Sequence, residues 1–274
     1  MSELDFTTAY AVSDSARAEY LAFAQAAVRA AGQAVLPFFR TQLAVDNKRE
    51  QGFDPVTEGD RAGERRIREL LAARYPDHGI YGEEYGYSAG NGLTWMIDPI
   101  DGTRAFVTGM LHWGVLLGLF DGQQPVVGAM YQPYTDELFW GDGRSAGFER
   151  AGERRALQTS GTATLSQATL ATTGTQWFSA QGRTQFDALR SRAKMTRMGG
   201  DCYLYAMVAM GSLDIATDAN LNAYDVLGLI PIIRGAGGAV ATYDDGNPSL
   251  GGTVLACGSQ ALLDDALAAV RGAT

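Results

Sequence analysis

The amino-acid sequence predicts a layered α/β protein of the α+β kind, and three patterns predict it. Two helical segments with one apolar face open the chain, a run of antiparallel hairpins follows, and beyond about residue 155 short apolar strands alternate with helices. With 274 residues and no Pro/Ser-rich linker, the chain reads as one unit, 1–274, with subregions of about 1–155 and 156–274.

The first helix is expected between Ser13 and Phe39, where Leu21, Ala24, Val28, Ala31, Val35 and Phe38 fall on one stripe and Ser13 or Asp14 can cap. A second helix is expected from Thr57, with Asp60 in its positive first turn, Ile67, Leu70 and Leu71 on its buried face, and an end before Pro76. An apolar strand then ends at "WMID". The pairs "WGVLLGLF"/"PVVGAMYQP" and "ELFW"/"AGFER" are joined across Asp121-Gly122 and Asp142-Gly143 and read as hairpins. The second half reads as strands "ATLATTG", "KMTRM", "LDIAT", "GAVATY" and "TVLACG". Helices are expected near 182–193, 201–211 and from 224 to Gly235, with "SQALLDDALAAVRG" closing the chain.

Composition excludes several kinds of chemistry. A formal charge of −9 without basic runs argues against a nucleic-acid surface. His78 and His112 are the only histidines, too few for an imidazole metal cage, and Cys202 and Cys257 form no paired motif. There is no basic-then-apolar leader and no run of eighteen apolar residues, so a cytoplasmic protein with no membrane partner is expected.

What remains is oxygen chemistry, concentrated in "WMIDPIDGTRAF" at 95–106. Pro99 makes Asp98 extended, and Pro99 with Ile100 is expected to turn the chain and bring Asp101 back beside Asp98. Two anions about 5 Å apart repel by about 3 kcal/mol at an effective dielectric near 20, so a cation or a proton must accompany them. Mg²⁺ suits such a site, because it takes one or two carboxylates, keeps waters and accepts phosphate oxygens. Gly102 and Thr103 then offer backbone to a phosphate. A structural Asp-Gly turn is the alternative. Glu83 and Glu84 in "YGEEYG" could join the pair or could be surface charge; Asp225 could join it or simply favour a helix N-terminus.

Together, "DPVTEGD" (54–60), "GEE" (82–84), "DPIDGT" (98–103) and "YDVLGLIPIIRGAGG" (224–238) resemble the inositol monophosphatase superfamily in order and spacing. The segments "PDHGIYGEEYG", "DPIDGTRAFVTG", "WGVLLGL" and "RMGGDCYLY" most resemble its histidinol-phosphate phosphatase branch. The resemblance implies an αβαβα sandwich, hydrolysis of a small phosphate monoester with two or three Mg²⁺, lithium sensitivity and a homodimer. By motif position, Glu83, Asp98 and the Ile100 carbonyl would hold one ion, and Asp98, Asp101 and Asp225 a second. Glu83 and Thr103 would activate water, Asp60 would support the water shell or a third ion, and Asp101, Gly102 and Thr103 would cradle phosphate. Arg197, Asp201 and Asp218 would face the leaving group, where carboxylates could pair with the ammonium of histidinol phosphate. Asp201 could instead cap a helix, and Arg197 could be a surface strand residue. Tyr224 replaces a Trp common in the inositol enzymes, and Arg104-Ala105 replaces Thr-Asn, which argues against an inositol substrate.

Overall fold

The computed structural model describes residues 9–42, 45–47 and 55–273; Asp54, the first residue of the "DPVTEGD" motif, lies outside them. The first helix, α1 (Asp14–Val35), is capped by Ser13, whose Oγ accepts from Ala16 N at 3.2 Å. It ends earlier than expected: Pro37 turns Leu36–Phe38 into a single 3₁₀ turn. Strands β1 (Asp46–Asn47) and β2 (Pro55–Val56) form a small ribbon before α2 (Glu58–Arg74). Thr57 and Asp60 build a capping box at the start of α2, and the helix stops before Pro76, as its sequence predicts.

The larger sheet contains β3 (Gly79–Gly82), β4 (Gly86–Ser88), β5 (Thr94–Asp101), β6 (Gly114–Phe120), β7 (Pro125–Gln132), β8 (Glu137–Gly141), β9 (Ala146–Arg150) and β10 (Glu153–Ala156), with α3 (Thr103–Val107) between β5 and β6. Its order is β10-β9-β8-β7-β6-β5-β3-β4, antiparallel except where β3 runs parallel to β5. After it come β11 (Thr169–Thr172), α4 (Ala180–Arg192), β12 (Met195–Met198), α5 (Cys202–Ala209), β13 (Ile215–Leu221), α6 (Ala223–Val226), α7 (Ile230–Gly235), β14 (Ala239–Thr242), β15 (Gly252–Cys257) and α8 (Gln260–Arg271). The smaller sheet has the order β12-β11-β13-β15-β14.

Five layers result. Helices α1 and α2 cover one face of the large sheet, burying Ala24, Val28, Ile67 and Leu71 against Trp95, Val115 and Val127. Helices α5 and α7 fill the space between the sheets, where Leu116 and Phe139 of one meet Ala216 and Val254 of the other. Helices α4 and α8 close the far side through Phe186, Leu189, Leu262 and Leu267. This is the expected αβαβα sandwich. Among the described residues no helix is long and apolar enough to cross a membrane.

Two elements differ from expectation. Strand β5 does not end at Asp98 with the chain turning back; it continues to Asp101 through a bulge. The helix expected from 224 to 235 is broken into α6 and α7, and Pro231 opens the second. The break lets backbone at Gly228 lie directly on the sheet, since a Cβ at Gly128 would stand 1.9 Å from Gly228 O and one at Gly118 2.8 Å from Gly228 Cα. Gly128→Ala should therefore lower the melting temperature by about 6 °C or more, the effect of roughly 3 kcal/mol of overpacking. Gly161→Ala meets nothing within 4 Å and pays only for its left-handed φ of 72°, about 1–2 kcal/mol. Thermal melts of the two variants check the difference.

Candidate active site

The site begins with the bulge in β5. Asp98 pairs with Leu116 and Asp101 with Gly114, so three steps on β5 oppose two on β6. On a regular strand, residues three apart face opposite sides; the one extra residue returns Asp101 to the side of Asp98. Pro99 has no N–H to lose from the ladder, and Ile100 N donates to Asp98 Oδ1 at 3.0 Å, which fixes that carboxylate over the bulge.

Glu83 follows β3, and its N–H donates to Ile97 O of the neighbouring strand at 3.1 Å. The next residue is held from behind: Glu64, fully buried and paired with Arg68 at 2.7 Å, accepts Glu84 N at 2.7 Å. Gly82 is required there, because a Cβ would collide with the Glu64 carboxylate. Asp225 arrives from the middle layer on α6. Its Oδ2 accepts Asn222 N at 2.7 Å in a capping box. Asp98 lies near enough to Glu83, Asp101 and Asp225 to feel the charge of each.

Burial drives the electrostatics of this group. It pushes Asp98 well above the usual carboxylate range, and Glu83, Asp101 and Asp225 push it further the same way. Asp101 is raised for the same reason, burial first and then the neighbouring acids. Asp225 is pushed up to about 7, by burial and Glu83 against the opposing hydrogen bonds from Asn222. Among the described residues, no three Asp, Glu, His or Cys side chains stand at the spacing of a preformed metal cage. The donor set nonetheless fits a hard divalent cation: four carboxylates crowded at one cavity, with Asp98 buried beneath it, whose mutual repulsion a cation relieves.

Above these acids lies an open cavity of about 230 Å³, whose wall includes Glu83, Asp101, Gly102, Thr103, Asp201, Asp218 and Asp225. Asp98 and Ile100 lie beneath it, 2% and 0% exposed. Thr103 Oγ1 donates to the Ile100 carbonyl at 3.0 Å. Gly102, at φ 89°, opens α3 where a Cβ would stand 2.7 Å from His112 O. Asp60 is away from the cavity wall: it is fully buried, and its Oδ2 accepts both Thr57 N at 2.7 Å and Thr57 Oγ1 at 2.6 Å. Arg197 is exposed on the edge strand β12 and does not line the cavity; the surface-strand reading describes its place. Asp201 precedes α5 but makes no side-chain cap. Its Oδ2 lies 3.0 Å from His112 Nδ1.

Trp177 and Thr173 of the cavity wall, and His112 beside Asp201, carried no signal of their own in the sequence. Arg104 stacks its guanidinium 4.4 Å from the Trp177 ring centroid, and both line the cavity. Thr173 joins Asp201 to Asp218. His112 lies 89 positions from its partner, and only its rarity in this chain could have marked it.

Known proteins share this architecture. The family model described as the inositol monophosphatase family matches residues 16–273. The chloroplastic bifunctional phosphatase IMPL2 of Arabidopsis thaliana is 33% identical over 236 residues, 85% of this chain and 66% of that protein. The histidinol-phosphatase of Chlorobaculum parvum is 33% identical over 88% of this chain and 92% of its own length. The solved inositol monophosphatase of Zymomonas mobilis superposes with a TM-score of 0.82 at 34% identity, covering 93% of this chain and 99% of that one. With a match that runs almost from end to end, the chain belongs to the inositol monophosphatase family of phosphatases.

Proposed function

We propose that this phosphatase hydrolyses L-histidinol phosphate to L-histidinol and phosphate, as a step of histidine biosynthesis. The observation that carries the substrate is Asp201, a carboxylate on the cavity wall immediately beside the Gly102-Thr103 segment. There it can pair with an ammonium on the carbon next to the ester, a contact that a neutral polyol lacks. The Trp177 ring on the same wall offers a flat apolar face to an imidazole.

Glu83, Asp98, Asp101, Asp225 and the Ile100 carbonyl are the groups that would hold Mg²⁺, on which the family generally depends. When bound, the metal neutralises phosphoryl oxygens and acidifies a coordinated water. The chain's own residues do the rest. Gly102 exposes backbone on which a phosphate can seat. Thr103 spends its hydroxyl proton on Ile100 O, so its oxygen can only accept from a water, while the Glu83 carboxylate takes that water's proton. The oriented lone pair then faces phosphorus in line with the departing alkoxide, which leaves as the alcohol on taking up a proton, while the proton taken by Glu83 returns to solvent. The same reading includes a homodimer, supported by the exposed Met195 and Met198 on edge strand β12, and a cytoplasmic location, supported by the free thiols Cys202 and Cys257.

Inositol 1-phosphate is the competing substrate, favoured by the Zymomonas mobilis likeness. Steady-state kinetics should give a kcat/KM for L-histidinol phosphate about tenfold or more above that for inositol 1-phosphate and fructose 1,6-bisphosphate; the reverse order overturns the substrate. The acid cluster also sets a pH dependence. Asp225 and Asp218 are each raised to about 7 from an ordinary value near 3.8, both chiefly by burial. Their protonation stabilises the fold fully below about pH 4, and that stability is lost as pH rises through about 7. In EDTA, the melting temperature should fall by about 5 °C between pH 5 and pH 8, and millimolar Mg²⁺ should raise it more at pH 8 than at pH 5. Melting temperatures that rise over that interval and ignore Mg²⁺ would count against the carboxylate cluster as the binding site.

A further inference from the structure

A fully buried carboxylate in the middle of a helix needs a reason. Glu64 is such a group in α2, with 0% exposure, where an apolar side chain would serve the fold as well or better. Its two oxygens take three donors instead. Oε2 accepts Glu84 N at 2.7 Å, and Oε1 accepts Tyr85 N at 3.2 Å and Arg68 Nε at 2.7 Å. Arg68, one turn further along α2, also donates through Nη2 to Gly86 O at 2.5 Å.

All of these bonds reach the loop that carries Glu83. Strands β3 and β4 form a hairpin closed by the pair Gly82 and Gly86, so residues 83–85 are its tip, ordinarily the most mobile part of such a unit. Every amide of this tip is tied down. Glu83 N donates to Ile97 O of β5, and the next two donate to Glu64. Gly82 leaves the space that this requires, since a Cβ there would stand 1.9 Å from Glu64 Oε1. The same helix also lies against the β5 bulge. Gly59 and Gly63 are one turn apart on α2; a Cβ at Gly63 would come within 3.1 Å of Pro99 Cβ, and one at Gly59 within 3.3 Å of Ile100 Cδ1. Helix α2 thus touches both the Glu83 tip and the bulge between Asp98 and Asp101.

We propose that Glu64 and Arg68 are positioning residues that hold Glu83 in register with the Asp98–Asp101 bulge, so that the acids are in place before a cation arrives. Glu64 does not line the cavity and acts only through the backbone of the tip. Without its two bonds the tip must be ordered as the cation binds, which weakens binding by the free energy of that ordering. The inference rests on the role proposed above for Glu83 and is independent of which ester is hydrolysed.

The test is made on the full-length protein without substrate. Glu64→Gln keeps the size of the side chain but turns an amide donor toward the tip. In metal-free protein, hydrogen exchange at the Glu84 and Tyr85 amides should speed up by about tenfold or more, while the amides of Leu70 and Leu71 in α2 keep their wild-type rates. Calorimetric titration of Mg²⁺ should give a Kd about tenfold or more above wild type. Arg68→Met, which leaves Glu64 in place and removes the bond to Gly86 O, should raise both by about threefold. Arg66→Gln, on the exposed side of the same helix, should leave both within about twofold. A Glu64→Gln protein that does not fold passes the decision to Arg68→Met on the same two readouts. Glu83→Gln separates the two readings. Unchanged Mg²⁺ affinity in Glu83→Gln sinks the Glu83 role together with this inference. Weakened binding in Glu83→Gln beside a wild-type Kd in Glu64→Gln overturns this inference alone, even if Glu64→Gln melts lower, and so do tip amides that exchange at the wild-type rate.

Discussion

The constraint on which the rest of the molecule depends is like-charge repulsion in a buried place. Glu83, Asp98–Asp101 and Asp225 come from separate stretches of chain and meet at the floor and wall of one cavity, and burial together with the neighbouring acids opposes the ionisation of Asp98. A protein that needed only stability would fill such a volume with apolar side chains. Holding four acids there is explained by something that arrives from outside and compensates them, and phosphate ester hydrolysis with a divalent cation requires just such a set of hard oxygens.

The fold is arranged so that these acids cannot drift apart. Asp98 and Asp101 are fixed to a central strand by a bulge, Glu83 by a ladder bond to that strand, and Asp225 by a capping box on a helix of the middle layer. The link that follows that helix lies on the sheet at Gly228, where Gly118 and Gly128 leave room for its backbone. Packing in the core thus sets a distance in the site. The second sheet contributes the opposite wall, through Thr173 on the loop after β11 and Asp218 on β13, so the cavity lies where the two sheets and the middle helices meet.

Much of this was legible in the sequence, for definite reasons. Apolar period gave the helices and hairpins; Thr57, Asp60 and Pro76 marked α2 because capping and proline effects are local. The acids of "GEE", "DPIDGT" and "YDVLG" were legible because each motif is short and ordered along the chain. What a linear reading missed was geometry. From Pro99 it expected the chain to fold back, whereas the strand absorbs the proline as a bulge. From its apolar run it expected one helix where close packing on glycines breaks the chain into two. Of the two readings of Arg197, leaving-group contact and surface strand, its exposed place on edge strand β12 fits the second. Whether a carboxylate is free to meet a ligand depends on the donors around it, and Thr172, Thr173 and His112 lie tens of residues away.

The most direct measurement is the exchange of protons for metal. Isothermal titration of Mg²⁺ into the protein at pH 6.5, in buffers of differing ionisation enthalpy, counts protons released on binding. Release of about one proton or more per chain is expected, since Asp98, Asp101 and Asp225 all hold protons more tightly than ordinary carboxylates. Binding with no proton release, or no binding at millimolar Mg²⁺, would contradict a divalent cation seated among these acids.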